Sequence, residues 1–214
     1  MALVYLNYIL SIIITLIILL YLFYELWFLR DPKRAVPKDD VIVSPANGRI
    51  ARIIEVDGKG LEIKKGLLGR IRTLTADTTD DGWMITIVMT PLNVHYQRSP
   101  CDGRVIGIKY RKGKLLNAVV GAEDMSATLE NEKNEILLST KYGRMKVIQI
   151  AGFIAKRIEC FVRKNQNIKK GETIGIIKLG SQVCLIMPKH PGLKLMVREG
   201  QHVVDGETVV AKRV

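Results

Sequence analysis

Two hydrophobic periods divide the chain. Between residues 3 and 24 no side chain is charged, and residues 9–22 are almost continuously Ile and Leu, with Ser11 and Thr15 as small polar interruptions. A helix needs about 20 apolar residues, at about 1.5 Å each, to cross about 30 Å of hydrocarbon, and this run supplies them. Tyr5 and Tyr8 at one end and Tyr21, Tyr24 and Trp27 at the other are spaced as interfacial belts. A cleaved signal peptide fits worse, because there is no basic leader, the apolar run is too long and no small-x-small site follows. Beyond residue 40 the period shortens to that of β-strands. Runs at 41–43, 50–56, 61–63, 71–75 and 84–89 are rich in β-branched residues and punctuated by Gly or Asp. Helical spacing in this part is confined to about 122–130 and a short stretch around 152–159.

Two echoes run through the β-rich part. Ser44-Pro45-Ala46-Asn47-Gly48-Arg49-Ile50 returns in outline as Ser99-Pro100-Cys101-Asp102-Gly103-Arg104-Val105, and residues 162–174 return as residues 197–209, each carrying a Gly-Glu-Thr. Such repeats predict stacked hairpins sharing one core, as in lipoyl and biotinyl carrier domains. The fold class expected is mainly β (α+β), preceded by one N-terminal transmembrane helix. Residues 1–29 would be the anchor, 30–40 a Pro-containing linker and 41–214 the β-rich domain.

Charge narrows the partners. Lys plus Arg number 33 against 21 for Asp plus Glu, a net charge of +12, which favours a polyanion. The basic residues are scattered and lack aromatic interleaving or a nucleic-acid motif, so nucleic acid is not the expected partner. Arg30, Lys33 and Arg34 instead follow the apolar span, where anionic lipid headgroups lie, and nothing basic precedes it. The positive-inside rule then places the C-terminal domain on the cytoplasmic side of the cell membrane. Cys101, Cys160 and Cys184 are odd in number and lack metal spacing, so they read as buried apolar residues, with no disulfide framework or metal site expected. The imidazoles are His95, His190 and His202.

The stretch with chemical interest is Gly175-Ile176-Ile177-Lys178-Leu179-Gly180-Ser181-Gln182-Val183-Cys184-Leu185-Ile186-Met187-Pro188, where a Gly-Ser pair joins two strand-like runs. Gly180 removes the Cβ that would block a strained bend, and Ser181 sets a hydroxyl beside the preceding carbonyl. The dipeptide alone is equally a strand-edge turn. A serine-hydrolase elbow would need Gly where Leu179 and Val183 stand.

The surrounding motifs decide between these readings. Phe28-Leu29-Arg30-Asp31-Pro32, Ser44-Pro45-Ala46-Asn47-Gly48, Asn93-Val94-His95 and Pro100-Cys101-Asp102-Gly103 occur in that order. Asn131-Glu132-Lys133-Asn134, the segment 151–158 and Lys178-Leu179-Gly180-Ser181 follow. From about Trp27 to Val214 the chain thus resembles the phosphatidylserine decarboxylase family, in its shorter bacterial and archaeal branch.

The resemblance implies a proenzyme in which Ser181 Oγ attacks the Gly180 carbonyl and splits the chain into 1–180 and 181–214. The two fragments stay associated, and a pyruvoyl cofactor is left at position 181. Its carbonyl would take the amine of an anionic serine phospholipid, phosphatidylserine or archaetidylserine, and accept the electrons left when carbon dioxide departs. Serine needs a base, and His95, on the loop after the 84–89 strand, matches the family's first loop histidine and would serve as base and later as proton donor. Where longer members carry a second histidine this chain has Arg98, which cannot shuttle a proton but would pair with a substrate carboxylate or phosphate. Where the family usually has Asp, thought to orient a histidine, it has Asn47. A membrane-anchored adaptor with lipoyl-like hairpins and an inactive family relic are the rival readings. The adaptor lacks the heptad helices expected between its hairpin halves.

Overall fold

The structure, a computed structural model, describes residues 1–56, 74–114, 116–117, 125–152, 157–178 and 181–213. The apolar run forms helix α1 (Ala2–Leu22), which passes into one π-helical segment, Phe23–Phe28. Together, Leu3–Phe28 is long and apolar enough to cross a membrane. The only other named helix among the described residues is the short α2 (Ser126–Glu130).

In chain order the strands are β1 Val41–Val43, β2 Gly48–Val56, β3 Gly82–Met89, β4 Tyr96–Arg98, β5 Gly103–Arg111, β6 Lys133–Thr140 and β7 Gly143–Ala151. They continue as β8 Arg157–Cys160, β9 Asn167–Ile168, β10 Thr173–Lys178, β11 Ser181–Pro188, β12 Leu193–Leu195, β13 His202–Val203 and β14 Val209–Arg213. Eight of them form one sheet in the order β13-β2-β3-β11-β7-β6-β5-β9, and two three-stranded sheets, β1-β14-β12 and β4-β10-β8, accompany it. The pairings between these strands are antiparallel.

The core explains why β11 reads as an unbroken apolar run and not as an alternating one. Val183 and Leu185 enter the main cluster with Ile85, Ile87 and Val147. Cys184 and Ile186 enter a second cluster, on the other face, with Met84, Ile148 and Met125. A central strand covered on both faces has no solvent side on which to place polar residues. Cys101 and Cys184 are buried and their thiols pushed up to about 12 by desolvation, which leaves them as inert packing groups, while Cys160 is only partly buried.

The echoed sequences take up equivalent backbone positions. Gly206 N donates to Ser44 O at 2.8 Å and Ile50 N to Gln201 O at 2.9 Å; in the second copy Gly171 N donates to Ser99 O at 2.9 Å and Val105 N to Gln166 O at 2.8 Å. Gly206 and Gly171 sit at φ +72° and +79°, the left-handed region that excludes most side chains. The copies are not self-contained hairpins, however. Within the first, β13 pairs with β2, and within the second β9 pairs with β5. The expected stacked hairpins are not seen among the described residues: each copy pairs a short strand with the start of a strand much earlier in the chain.

Three local expectations change. The stretch 152–159 does not carry a helix at its end, since Arg157–Cys160 is strand β8 against β10; its β-branched Ile158 suits that edge. The helix expected at 122–130 begins at Ser126 among the described residues, after Met125 at φ 65°. Leu74 and Thr75 are helical instead of ending a strand, while 57–73, including the run 61–63, lie outside the described residues.

The segment 30–40 has no regular secondary structure but is pinned along its length. Asp31 pairs with Arg98 and Arg34 with Asp205. Ala35 N donates to Glu207 Oε1 at 3.0 Å, and Asp40 accepts from Tyr142.

Candidate active site

Register brings the candidate residues to one end of the large sheet. Ser181 opens β11 opposite Met89 of β3 on one side and Ala151 of β7 on the other. Past Met89 the chain turns at 90–93, where Asn93 N donates to Thr90 O at 2.9 Å and Asn93 Oδ1 accepts from Thr90 N at 2.8 Å and Thr90 Oγ1 at 2.9 Å. It re-enters as β4, which pairs with β10, and Ile177 N donates to His95 O at 3.2 Å. His95 and the strand leading to Ser181 are therefore neighbours. Gly180 lies outside the described residues.

Ser181 and His95 are fully buried, and among the described residues neither Ser181 Oγ nor His95 Nε2 has a hydrogen-bond partner. They do not bond each other here. An unmade hydrogen bond in a buried site costs about 1–3 kcal/mol, so two such atoms at one end of a sheet mark a place kept for chemistry.

The histidine's tautomer follows from its surroundings. Nδ1 lies 3.0 Å from Asn93 O; a carbonyl only accepts, so Nδ1 carries the proton and Nε2 keeps its lone pair. The ring packs against Phe28, tilted 30° to it with centroids 4.0 Å apart, and Phe28 is stacked on Tyr24 at 5.5 Å. Burial pulls the imidazole down to about 4, the Asn93 carbonyl opposing and the nearby Arg30 charge assisting. His95 is neutral at pH 7, which a general base requires.

Asn47 and Arg98 are placed differently from each other. Asn47 Oδ1 accepts from Asn93 Nδ2 at 2.8 Å, one residue removed from the imidazole, whose orienting group is the Asn93 carbonyl. Arg98 donates through Nε to Asp205 at 2.8 Å, and through Nη1 to Gly171 O at 3.1 Å and Thr173 Oγ1 at 3.0 Å. Its Nη2 donates to Asp31 and, at 3.2 Å, to Pro32 O. A guanidinium has five N–H donors, and five acceptors hold them. Arg98 ties the segment 30–40 to the β domain and has no donor left to offer a substrate.

Comparison with known proteins bears on this arrangement. The profile of the phosphatidylserine decarboxylase family matches residues 23–211. The phosphatidylserine decarboxylase proenzyme of Chlorobium phaeobacteroides is 36% identical over 190 residues, covering 88% of this chain and 79% of the relative. That of Chlorobaculum parvum is 33% identical over 198 residues, covering 92% and 82%.

The chain belongs to the phosphatidylserine decarboxylase family.

This is a carboxy-lyase family, and the structure shows groups around the site to which residue patterns gave no role. A chain of buried amides runs in one direction to the loop that carries His95. Asn134 Nδ2 donates to Gln149 Oε1 at 2.8 Å, Gln149 Nε2 to Gln97 Oε1 at 2.8 Å, and Gln97 Nε2 to His95 O at 2.6 Å. Gly175 makes room for it, because a Cβ there would lie 2.5 Å from Gln149 Nε2. Asn131 Nδ2 donates to the carbonyl of Ala151, the residue paired with Ser181, at 2.7 Å. The signal for Gln149 was present in Val147-Ile148-Gln149-Ile150: a polar residue inside a buried run must have partners. On the opposite face, Gln182 Nε2 donates to Thr128 Oγ1 at 3.1 Å and its Oε1 is the third buried side-chain atom without a partner among the described residues.

Proposed function

We propose that this protein is a membrane-anchored proenzyme that cuts itself between Gly180 and Ser181 and decarboxylates a serine phospholipid to the ethanolamine phospholipid. The carrying observation is the pair of buried, unpartnered atoms, Ser181 Oγ and His95 Nε2, at one end of the large sheet among the described residues. Family membership supports the decarboxylation, and the relatives' name, phosphatidylserine decarboxylase, supports phosphatidylserine as substrate. Archaetidylserine carries the same headgroup chemistry.

In self-cleavage His95 Nε2 takes the Ser181 hydroxyl proton while Oγ attacks the Gly180 carbonyl carbon. The Gly180–Ser181 C–N bond breaks with protonation of the nitrogen, leaving an ester on Oγ. Loss of the residue-181 Cα proton then expels the Gly180 carboxylate, and addition of water with loss of ammonia leaves a pyruvoyl group on fragment 181–214. The residues present fit this origin, because Ser181 Oγ is buried and uncommitted to any structural hydrogen bond among the described residues. Attached there, the pyruvoyl group supplies a carbonyl for the substrate amine and an electron sink when carbon dioxide leaves. His95 Nε2 then relays to the substrate carbon the proton that the net reaction takes from solvent, and Phe28 covers one face of its ring.

The fragments stay together after cleavage because β11 lies between β3 and β7, both in 1–180, and because Asp205 of the small fragment is held by Arg34 and Arg98 of the large one. The helix Leu3–Phe28 anchors the enzyme in the cell membrane, and the basic residues after it place the domain on the cytoplasmic side. There the lipid substrate is searched for in two dimensions.

A denaturing gel tests the reading. Wild type is expected as two fragments, the smaller blocked to N-terminal sequencing because a pyruvoyl has no amine, and Ser181→Ala as one folded, inactive chain. Borohydride with the serine lipid should trap an adduct on fragment 181–214. A free serine at that fragment's start, or an active uncut chain, refutes the proposal.

A further inference from the structure

We infer that the turn at residues 90–93 is a second membrane contact, seating Leu92 in the headgroup–acyl boundary of the bilayer and holding His95 at the level of the lipid headgroups. The inference rests on the reading of Leu3–Phe28 as a membrane span.

A single exposed leucine is ordinary, and Leu92, 64% exposed at the tip of the turn, would mean little alone. Its neighbour Arg30 changes that. Arg30 Nη2 donates to Leu92 O at 2.7 Å, Arg30 Nη1 donates to Trp27 O at 2.6 Å, and the guanidinium lies 4.2 Å above the Trp27 ring. One side chain thus bridges the last turn of the span and the tip of the loop. Trp27 and Leu26 are themselves 48% and 72% exposed, as lipid-facing residues are, and tryptophan at the end of a span lies at the headgroup level. Anything within one guanidinium of it lies at the same depth.

The turn is also built to be presented. Thr90, Pro91 and Leu92 are exposed and uncharged; Pro suits any turn, but beside it turn tips facing water favour Asn, Asp, Gly and Ser and not Leu. Asn93 Oδ1 closes the turn with two bonds from Thr90, and Pro91 restricts the backbone, so little ordering is needed on contact. Val94 and His95 follow immediately and are buried. The imidazole is therefore three residues from a side chain in the bilayer, and capped by Phe28, the residue that ends the span.

The test uses the full-length chain with Cys160→Ser to remove the partly buried thiol and Leu92→Cys carrying an environment-sensitive fluorophore. The protein is reconstituted in vesicles of phosphatidylcholine and phosphatidylserine. Emission should shift to the blue and be quenched by lipids with nitroxides on shallow acyl carbons. The same label at Asp80, beside the Gly82 end of β3 and so at the opposite end of the sheet from Ser181, should emit as in water. If the labelled protein floats with the vesicles but position 92 behaves like position 80, the inference is overturned and the anchor stands. If the protein does not float, the anchor fails and the inference with it. A second readout separates contact from folding. Leu92→Asp should raise the apparent KM for phosphatidylserine in vesicles by about tenfold, the scale of losing one buried apolar side chain. Self-cleavage, and turnover of the same lipid dispersed in detergent, should be unchanged. Equal loss in vesicles and detergent overturns it.

Discussion

The unit built from residues 44–50 and 197–209 and the unit built from residues 99–105 and 162–174 share a backbone but not a task. Both use a Ser-Pro turn whose hydroxyl donates to the carbonyl two residues on, Ser44 to Ala46 and Ser99 to Cys101, each at 2.7 Å. Both close on a left-handed glycine. The chemistry at matching positions then diverges. Asp205, wholly buried, lies between Arg34 and Arg98, whereas its counterpart Lys170 is half-buried and donates to Asp39 O. Asn47 bonds Asn93, which orients the histidine, whereas its counterpart Asp102 accepts from Lys170 N at 2.8 Å. A repeated backbone thus serves as the template, and the polar side chains placed on one copy turn it toward the segment after the apolar helix and toward the His95 loop.

The comparison breaks most visibly at Asp205. Asp205→Ala would leave the Arg34 and Arg98 cations facing each other without their shared carboxylate, and should cost about 3–5 kcal/mol. Lys170→Ala at the matching place should cost less than about 0.5 kcal/mol. Urea unfolding of uncleaved Ser181→Ala chains measures both without interference from fragment dissociation. Similar losses at the two positions would erase the asymmetry.

Gln149→Leu is next in size. It strands the Gln97 carbonyl oxygen and an Asn134 amide hydrogen in the core, at about 1–3 kcal/mol each. It also removes the partner that holds the Gln97 amide in place for its bond to His95 O, so self-cleavage of freshly made chains should slow in a pulse-chase gel. Unchanged cleavage with lost stability would confine the amide chain to a structural role.

The pH dependence sharpens the same half of the molecule. An ordinary histidine, with a pKa of about 6.5, would lose about 25-fold of its basic form between pH 7 and pH 5, but His95 is pulled down to about 4 by burial. Self-cleavage should therefore hold nearly level down to pH 5 and fall near pH 4. For stability the sign is that of a base buried in its neutral form. The unfolded chain takes up the proton first, so stability is complete above about pH 6.5 and eroded as pH falls toward 4. Phe28→Ala, which opens the ring to water, should move the acid limb of cleavage upward.

The smallest effect is expected at the matched pair Asn47 and Asp102. Asn47→Asp keeps an oxygen facing Asn93 Nδ2, so cleavage should stay within about threefold. Asp102→Asn, far from the histidine loop, should leave it unchanged. A large acceleration by Asn47→Asp would make an anion at this position the missing orienter after all.

Much of this was legible in residue order because it is local. The apolar span needs only its own composition to be read, the echoes need only self-comparison, and the unbroken run Val183-Cys184-Leu185-Ile186 announces a strand covered on both faces. Ser181 and His95 stand out by their types and by family resemblance. The misreadings arose where a distant partner overrode local preference, as at Arg157–Cys160, whose pairing with β10 makes a strand of a segment with helical spacing.

By itself the sequence determined the membrane-length helix, the β class, the duplicated units and the residues able to do chemistry, since each depends on side-chain type and short-range period. Only the tertiary structure decided what those residues do for one another. Arg98 and Asp205 meet across 107 positions, and the Gln97–Gln149 link crosses 52. It is this folding-together that spends every Arg98 donor, gives the histidine a backbone carbonyl in place of a carboxylate, and sets the end of the apolar helix against its ring. A hydrogen bond depends on distance and direction, and neither is written in the order of the chain.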